Sequence, residues 1–298
     1  MPFYIIIAIA AYSLYAINGV IDKFLLSKAV RSPAVYAFYI GITAPFTLIL
    51  APFGLQLLSA QNILIALVSG AAFVLALYYM YKATQATSIS RILPIEGGLV
   101  PVFTLVFAYV ILGERLLPTQ LIAFAFLVVG AVIVSLREDK TGWHAKALGN
   151  AIIAAVLFAL HFVLFKYITQ ESNLWSGLIW TRFGFFFTSL CFLIPRSVRT
   201  AVFNAPKQAS TGNKALYLGA RVTGMLSGFL QNAAISMGSV TIVNAMQGTQ
   251  YALLLVGTIF LSKYYPQILK EKITRSILAQ KILAIILICT GLVFLTMS

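Results

Sequence analysis

One carboxylate stands where carboxylates are costly. Glu96 lies in an apolar run, two residues after Pro94 and directly before Gly97-Gly98. An ionisable side chain at the centre of a membrane helix costs roughly 2.5–3.5 kcal/mol on insertion scales, so such groups carry a function or a partner. Pro94 removes a helix hydrogen bond and the two glycines weaken the next turn, which predicts a broken helix around Glu96. At helical spacing Glu96 shares a face with Leu93, Val100 and Phe103. It therefore reads as a lone carboxylate on an apolar wall, suited to carrying a proton or binding a cation. The alternative is a structural carboxylate paired with Arg91 or Arg221.

Other polar side chains fall in apolar runs. Asn244, Gln247 and Tyr251 recur at i, i+3 and i+7, which places them on one helix face. They line a cavity or glue two helices by hydrogen bonds. Arg221 can snorkel to headgroups, bind an anionic group or pair with Glu96. Arg182 reads as a snorkelling residue or a substrate contact. His161 reads as a hydrogen-bonded structural residue or a proton relay, with Asn18 as its counterpart in an internal repeat described below. Tyr39 shares a face with Tyr36 and Thr43, and Tyr78 with Tyr81, Lys82 and Gln85. These tyrosines form an interfacial belt or stack against a solute.

The elements that must position these residues are set by composition. Of 298 residues, 61% are hydrophobic and 9% charged, against about 25% charged in a soluble domain. Mean hydropathy is +0.96. These values argue against a soluble enzyme, a nucleic-acid reader and a disordered chain. Ten apolar segments are predicted, at 3–22, 34–52, 62–82, 90–112, 117–136, 147–168, 175–195, 214–237, 240–262 and 276–297. Each approaches the ~20 residues a bilayer span needs. Helix is expected throughout, since the alternation that a membrane barrel requires is absent. Loops are expected at 137–146, 196–213 and 263–275. Ala220, Gly224 and Gly228 form a small-residue ladder that lets another helix approach closely. Cys191 and Cys289 sit in apolar runs, and no CxxC or Cys/His cluster suggests a disulfide framework, a metal or a cofactor.

Charge is sorted as well as scarce. Of 21 Lys and Arg, Arg115 and Lys166 fall on one side of the predicted spans and Arg182 and Arg221 inside them; the other 17 fall on the opposite side. The positive-inside rule makes that side cytoplasmic and puts both termini outside. The net charge of +14 then marks orientation and not nucleic-acid binding. The chain also repeats. Residues 79–104 align without gaps on 230–255, with Ala83 on Ala234, Ser88 on Ser239, Glu96 on Gln247 and Gly97 on Gly248. A second offset sets Ala16 on Ala159, Asn18 on His161 and Lys23 on Lys166. Five spans per half is odd, so the halves, 1–140 and 141–298, are expected in opposite orientation, an inverted repeat.

Residues 83–134 carry a more specific pattern: the turn Thr87-Ser88-Ile89-Ser90, a helix with Pro94 and Pro101, the turn Gly113-Glu114-Arg115, and a helix containing Gly130. The second half keeps Gly238-Ser239-Val240-Thr241, and Gly291 stands for Gly130. This pattern resembles the EamA-like transporters of the drug/metabolite transporter superfamily. The resemblance implies ten helices, with spans 1–4 and 6–9 around a central cavity, spans 5 and 10 at the periphery, and alternating access. Members usually hold both termini in the cytoplasm and have a basic loop between spans 2 and 3. Here that loop, residues 53–61, is uncharged.

The fold expected is an all-α polytopic membrane protein, a monomer or homodimer in a bacterial or archaeal-type plasma membrane. The function expected is secondary transport, by export, of a small amino acid-like, drug-like or other polar or amphipathic solute, with proton coupling through Glu96. The cavity residues are Glu96, Asn244, Gln247, Tyr251, Arg221, Asn18, His161, Tyr39 and Tyr78. The partners are a small-molecule substrate and the lipid bilayer, with no nucleic acid. Alternatives are a lipid-linked sugar flippase, a membrane-embedded enzyme or a channel. An enzyme would need paired acids or a nucleophile with its base, and a channel rings of charge; neither pattern is present. The charge bias predicts that a reporter active only in the cytoplasm stays silent when fused after Ser298; a bright fusion would reverse the orientation.

Overall fold

A computed structural model of the chain describes residues 2–26, 32–86, 89–135, 145–208, 211–264 and 275–296. Every regular element among them is helical. They are α1 (Phe3–Leu26), α2 (Pro33–Ile42) continuing as a 3₁₀ segment (Ala44–Phe53), α3 (Ala60–Ala86), α4 (Ile89–Phe107) ending in a π turn (Ala108–Leu112), and α5 (Pro118–Ser135). Then come α6 (Ala145–Glu171), α7 (Leu174–Cys191), α8 (Arg196–Gln208), α9 (Thr211–Met237), α10 (Val240–Ala245), α11 (Gln247–Tyr264) and α12 (Arg275–Thr296). Each apolar segment read from the sequence coincides with one helix or with two consecutive pieces.

Among the described residues, five stretches are long and apolar enough to cross a bilayer alone: Pro33–Phe53, Ala60–Gln85, Ile95–Leu112, Ala145–Glu171 and Ala279–Thr296. Phe3–Asn18 and Pro118–Val134 are shorter apolar helices. The chain is thus an integral, multi-pass helical membrane protein. Its outer apolar side chains fit that setting: Phe46, Ile49, Val110 and Leu57 are well exposed, which in water would be a liability.

The structure corrects two expectations. The stretch expected as a loop at 196–213 contains the helix α8, which turns by 107° from α7. Its pattern is amphipathic and not uniformly apolar, so hydropathy passes over it. Val198, Ala201 and Val202 pack on Val35, Phe38 and Tyr39, while Arg196 and Arg199 stay exposed. The second correction concerns the break expected at Glu96. α4 runs unbroken from Ile89 through Pro94 and Gly97-Gly98. The glycines serve packing instead: a Cβ at Gly97 would lie 2.6 Å from the Tyr251 ring, and one at Gly98 2.8 Å from Val132. The break occurs in the second half, at Met246 between α10 and α11.

Helices pair across the two halves of the chain. α1 packs on α9 and α11, α6 on α3 and α4, α2 on α7, and α5 on α12. The α5–α12 crossing is built on reciprocal glycines. A Cβ at Gly130 would meet Ile288 at 2.7 Å and the Ala284 carbonyl at 3.2 Å; one at Gly291 would meet Leu127 at 2.8 Å and the Ala123 carbonyl at 3.0 Å. Each glycine is received by the same two positions of the opposite helix, since 123, 127 and 130 lie 161 residues before 284, 288 and 291. Small residues at such crossings let helix backbones touch. Gly130→Leu is therefore expected to cost about 1–3 kcal/mol from overpacking. Gly149→Ala, at a site with nothing within 4 Å, should be neutral or stabilising by up to ~1 kcal/mol. Thermal unfolding in detergent, followed by tryptophan fluorescence, compares the two.

Candidate functional site

The break at Met246 organises the polar interior. α10 stops at Ala245, so the carbonyls of its last turn lose their helical partners. In hydrocarbon such groups must be satisfied from within the protein. Tyr12 of α1 fills one of these needs: its hydroxyl donates to the Val243 carbonyl at 2.8 Å. Gln231 of α9 then joins three elements. Its Nε2 donates to the Tyr12 hydroxyl at 3.2 Å and to Asn244 Oδ1 at 3.3 Å, and its Oε1 accepts from the Tyr15 hydroxyl at 3.1 Å. Tyr12, Gln231 and Asn244 are all buried.

The α1–α9 seam continues along the predicted small-residue ladder. A Cβ at Gly224 would sit 3.4 Å from Asn18 Nδ2, and one at Gly228 3.3 Å from the Tyr15 hydroxyl. Thr223 donates to Asn18 Oδ1 at 3.2 Å. Two glycines thus make room for the polar side chains of α1.

Glu96 approaches the same region from α4. It is buried, and its Oε1 has no hydrogen-bond partner among the described residues. Tyr251 is within electrostatic reach of Glu96 and of Tyr12. Its ring rests against the bare backbone of Gly97, and its hydroxyl accepts from Gln247 Nε2 at 2.8 Å. The stripe expected from Asn244, Gln247 and Tyr251 is therefore divided by the Met246 break. Asn244 joins the α1–α9 network, and Gln247 with Tyr251 turns to Gly97 and Glu96. Asn244 Nδ2 is a second buried group with no partner among the described residues, as are Asn232 Oδ1, Thr241 Oγ1 and Thr249 Oγ1. The site thus holds an acceptor and a donor, Glu96 and Asn244, each with an unused hydrogen-bonding atom.

The remaining expected residues are placed elsewhere. His161 belongs to the α3–α6 crossing. Its Nδ1 donates to the Ser69 carbonyl at 3.0 Å, while the Ser69 hydroxyl donates to the His161 carbonyl at 3.1 Å. Phe73, Phe162, Phe165 and Phe185 surround the ring. Tyr39 donates to the Val202 carbonyl at 2.8 Å, tying α2 to α8. Tyr78 packs on Tyr79 and Phe192 beneath the Lys82 ammonium. The side chains of Arg221 and Arg91 lie outside the described residues. Arg182, half-buried, stacks its guanidinium 4.4 Å from the centre of the Phe185 ring.

Sequence reasoning missed Tyr12, Tyr15 and Gln231. Tyr12 and Tyr15 stand at i, i+3 in an apolar helix, a spacing that marks one face; that was the available signal. Gln231 stood next to Asn232 in a segment read for its small-residue ladder, for Arg221 and for the repeat alignment at 230–255. It also missed a role for Glu114. Gly113 adopts φ 66 after the π turn, and this bend delivers the Glu114 carboxylate to the start of α10, where Ser239 Oγ donates to it at 2.6 Å.

Fold and site together define a multi-pass helical membrane protein with a buried polar seam between its halves. Residues 2–136 match the EamA-like transporter family, so the chain is EamA-like over its first half, as the pattern at 83–134 suggested. Two curated proteins are similar to part of it. The glucose uptake protein GlcU of Staphylococcus xylosus is 27% identical over 36% of this chain and 39% of that protein. GlcU of Bacillus subtilis (strain 168) is 25% identical over 41% and 45%. The matched stretch spans about two fifths of the length of these relatives. A solved crystal structure superposes with a TM-score of 0.71 over 98% of both chains at 14% identity, a likeness of fold alone.

The Tyr12 hydroxyl is the hinge of the network, so Tyr12→Phe should strand both the Val243 carbonyl and a Gln231 proton. A loss of about 1 kcal/mol is expected, read as a lowered unfolding temperature. An unchanged temperature would show that Tyr12 carries no such bond.

Proposed function

We propose that the chain is a secondary transporter of ten spans, two five-helix halves of inverted orientation, that moves a small neutral polar solute coupled to protons at Glu96. The observation that carries this reading is the buried Glu96 carboxylate, whose Oε1 has no partner among the described residues and which lies within electrostatic reach of Tyr251 of the other half. A structural carboxylate would be expected to use both oxygens. A carboxylate that takes up and releases a proton, or grips a solute hydroxyl, needs one free. The inverted repeat is supported by the pairing itself: exchanging the halves maps α1 on α9 onto α6 on α3, and α4 on α6 onto α11 on α1. The reciprocal glycines of α5 and α12 supply the same relation at residue level.

The free groups also favour a class of solute. Amides and phenols offer neutral donors and acceptors, which suit hydroxyl-rich molecules. The similarity to glucose uptake proteins makes glucose the first probe. Export follows from the superfamily resemblance and uptake from the relatives' printed name; loading the solute inside or outside the vesicle separates them. Termini outside, a plasma-membrane location and a monomeric or homodimeric carrier complete the reading. A carrier is favoured over an enzyme by the similarity to transporter and uptake proteins.

Purified protein in proteoliposomes should accumulate labelled glucose, or release it, in response to an imposed pH gradient. Glu96→Gln should abolish the pH-driven component by tenfold or more while leaving the folded yield intact. A mutant that still follows the pH gradient normally would remove Glu96 as the proton carrier.

A further inference from the structure

The membrane face that carries few basic residues is laced by bonds between the halves. Asn173 Nδ2 donates to the Gly54 carbonyl at 2.9 Å, the Gln56 amide to Ser176 Oγ at 2.9 Å, and Trp180 Nε1 to the Gln56 carbonyl at 3.0 Å. Phe53 stacks on Trp175, which stacks on Phe229. The second tie is Glu114. Its Oε1 accepts from Ser239 Oγ at 2.6 Å and from the Thr241 amide at 3.3 Å. Ser239 in turn caps α10 by accepting from the Ile242 amide at 3.0 Å. Lys166 lies within electrostatic reach of Glu114 and donates to the Ser236 carbonyl at 3.1 Å, just before the α9–α10 turn.

These contacts differ in what they hold. The bonds of Asn173, Gln56 and Trp180 tie a loop to α7. Glu114 ties the turn after α4, the helix of Glu96, to α10, the helix of Asn244. α10 is six residues long, is buried along its whole length and is followed at once by the Met246 break. α10 also packs directly on α4, and Glu114 adds a polar tie at the end of that contact, between the helices of Glu96 and Asn244. A charged acceptor makes roughly twice as strong a bond as a neutral one. Yet its partners among the described residues are the Ser239 hydroxyl, the Thr241 amide and, within electrostatic reach, the Tyr4 phenol and the Lys166 ammonium, which water can replace when that face opens.

We propose that Glu114 is the latch of the gate on this face, a positioning residue that closes the polar seam and releases α10 when the seam opens to that side. This rests on the transporter reading above. The test begins from Cys191→Ser, Cys289→Ser protein, since both native thiols are free. In that background Glu114→Cys and Ser239→Cys are joined by an oxidant. Glucose transport should fall at least tenfold on oxidation and return on reduction, because a locked gate cannot cycle. Cross-linked protein that transports at the reduced rate would overturn the latch. A second measurement needs no substrate. Spin labels at Leu117 and Glu171 report the width of this face in the same background, with Glu114→Gln and Glu114→Ala checked for folding by gel filtration. Glu114→Ala should add a longer distance, and Glu114→Gln a smaller fraction of it. An unchanged distance distribution in both would overturn the proposal. Parent protein that moves no glucose would instead count against the transport reading, with the spin-label result still deciding the latch.

Discussion

Hydrocarbon supplies no hydrogen bonds, and the organisation of this interior follows from that. A helix meets the demand by closing its own backbone bonds. Where a helix stops inside the protein, as α10 does at Ala245, some other group must take over the freed carbonyls. Tyr12 does so for Val243, and once its hydroxyl is fixed, Gln231, Tyr15 and Asn244 are drawn in. The polar seam between the halves is thus the consequence of one broken helix. The glycines of α9 let α1 come close enough to complete it.

This logic separates structural polar groups from the candidate site. His161 and Ser69 bond each other's main chain across the α3–α6 crossing. Tyr39 spends its hydroxyl on α8. Of six buried side chains that keep an atom without a partner among the described residues, five, Glu96, Asn232, Thr241, Asn244 and Thr249, lie on α4 and α9–α11, and Ser189 lies on α7. An unmet hydrogen bond costs free energy. The persistence of such atoms beside the inter-half seam is the reason to place function there.

The elements were legible in the sequence because hydropathy reports span length directly, and large apolar side chains such as Phe46, Ile49 and Val110 are exposed on the outside as well as buried in the core. α8 escaped, because a helix with Arg196 and Arg199 on one side and Val198 and Val202 on the other has no uniform hydropathy. The position of the break was misread for a different reason. Pro94 and Gly97-Gly98 are local signals of weakness, but helix continuity is decided by what packs around them. Gly97 is needed bare so that the Tyr251 ring can rest on it. Met246, whose sequence gives no warning, ends α10. The network of Tyr12 and Gln231 joins residues 219 positions apart, and no periodicity within one helix can show such a pair. The Gly130 and Gly291 correspondence was legible because close packing at both ends of one crossing demands the same small residue twice.

On the proposed repeat the two halves would share a design but not a chemistry, and the difference falls at the site. Position 96 of the first half aligns with 247 of the second, and 93 with 244. The first half offers an unbroken helix with a carboxylate; the second offers a broken helix with two amides, Asn244 and Gln247. A strict repeat would set a second carboxylate opposite the first, and two like charges this deep would repel with little water to screen them. Glutamine keeps the length and the hydrogen bonds of glutamate without the charge, and here it donates to the tyrosine that faces Glu96. The break likewise need occur only once, since a single freed turn is enough to seed the network and leaves the other helix as a rigid wall. Divergence of the halves thus places one titratable group against a neutral, hydrogen-bonding surface, an arrangement that neither half could build by pairing with its own copy.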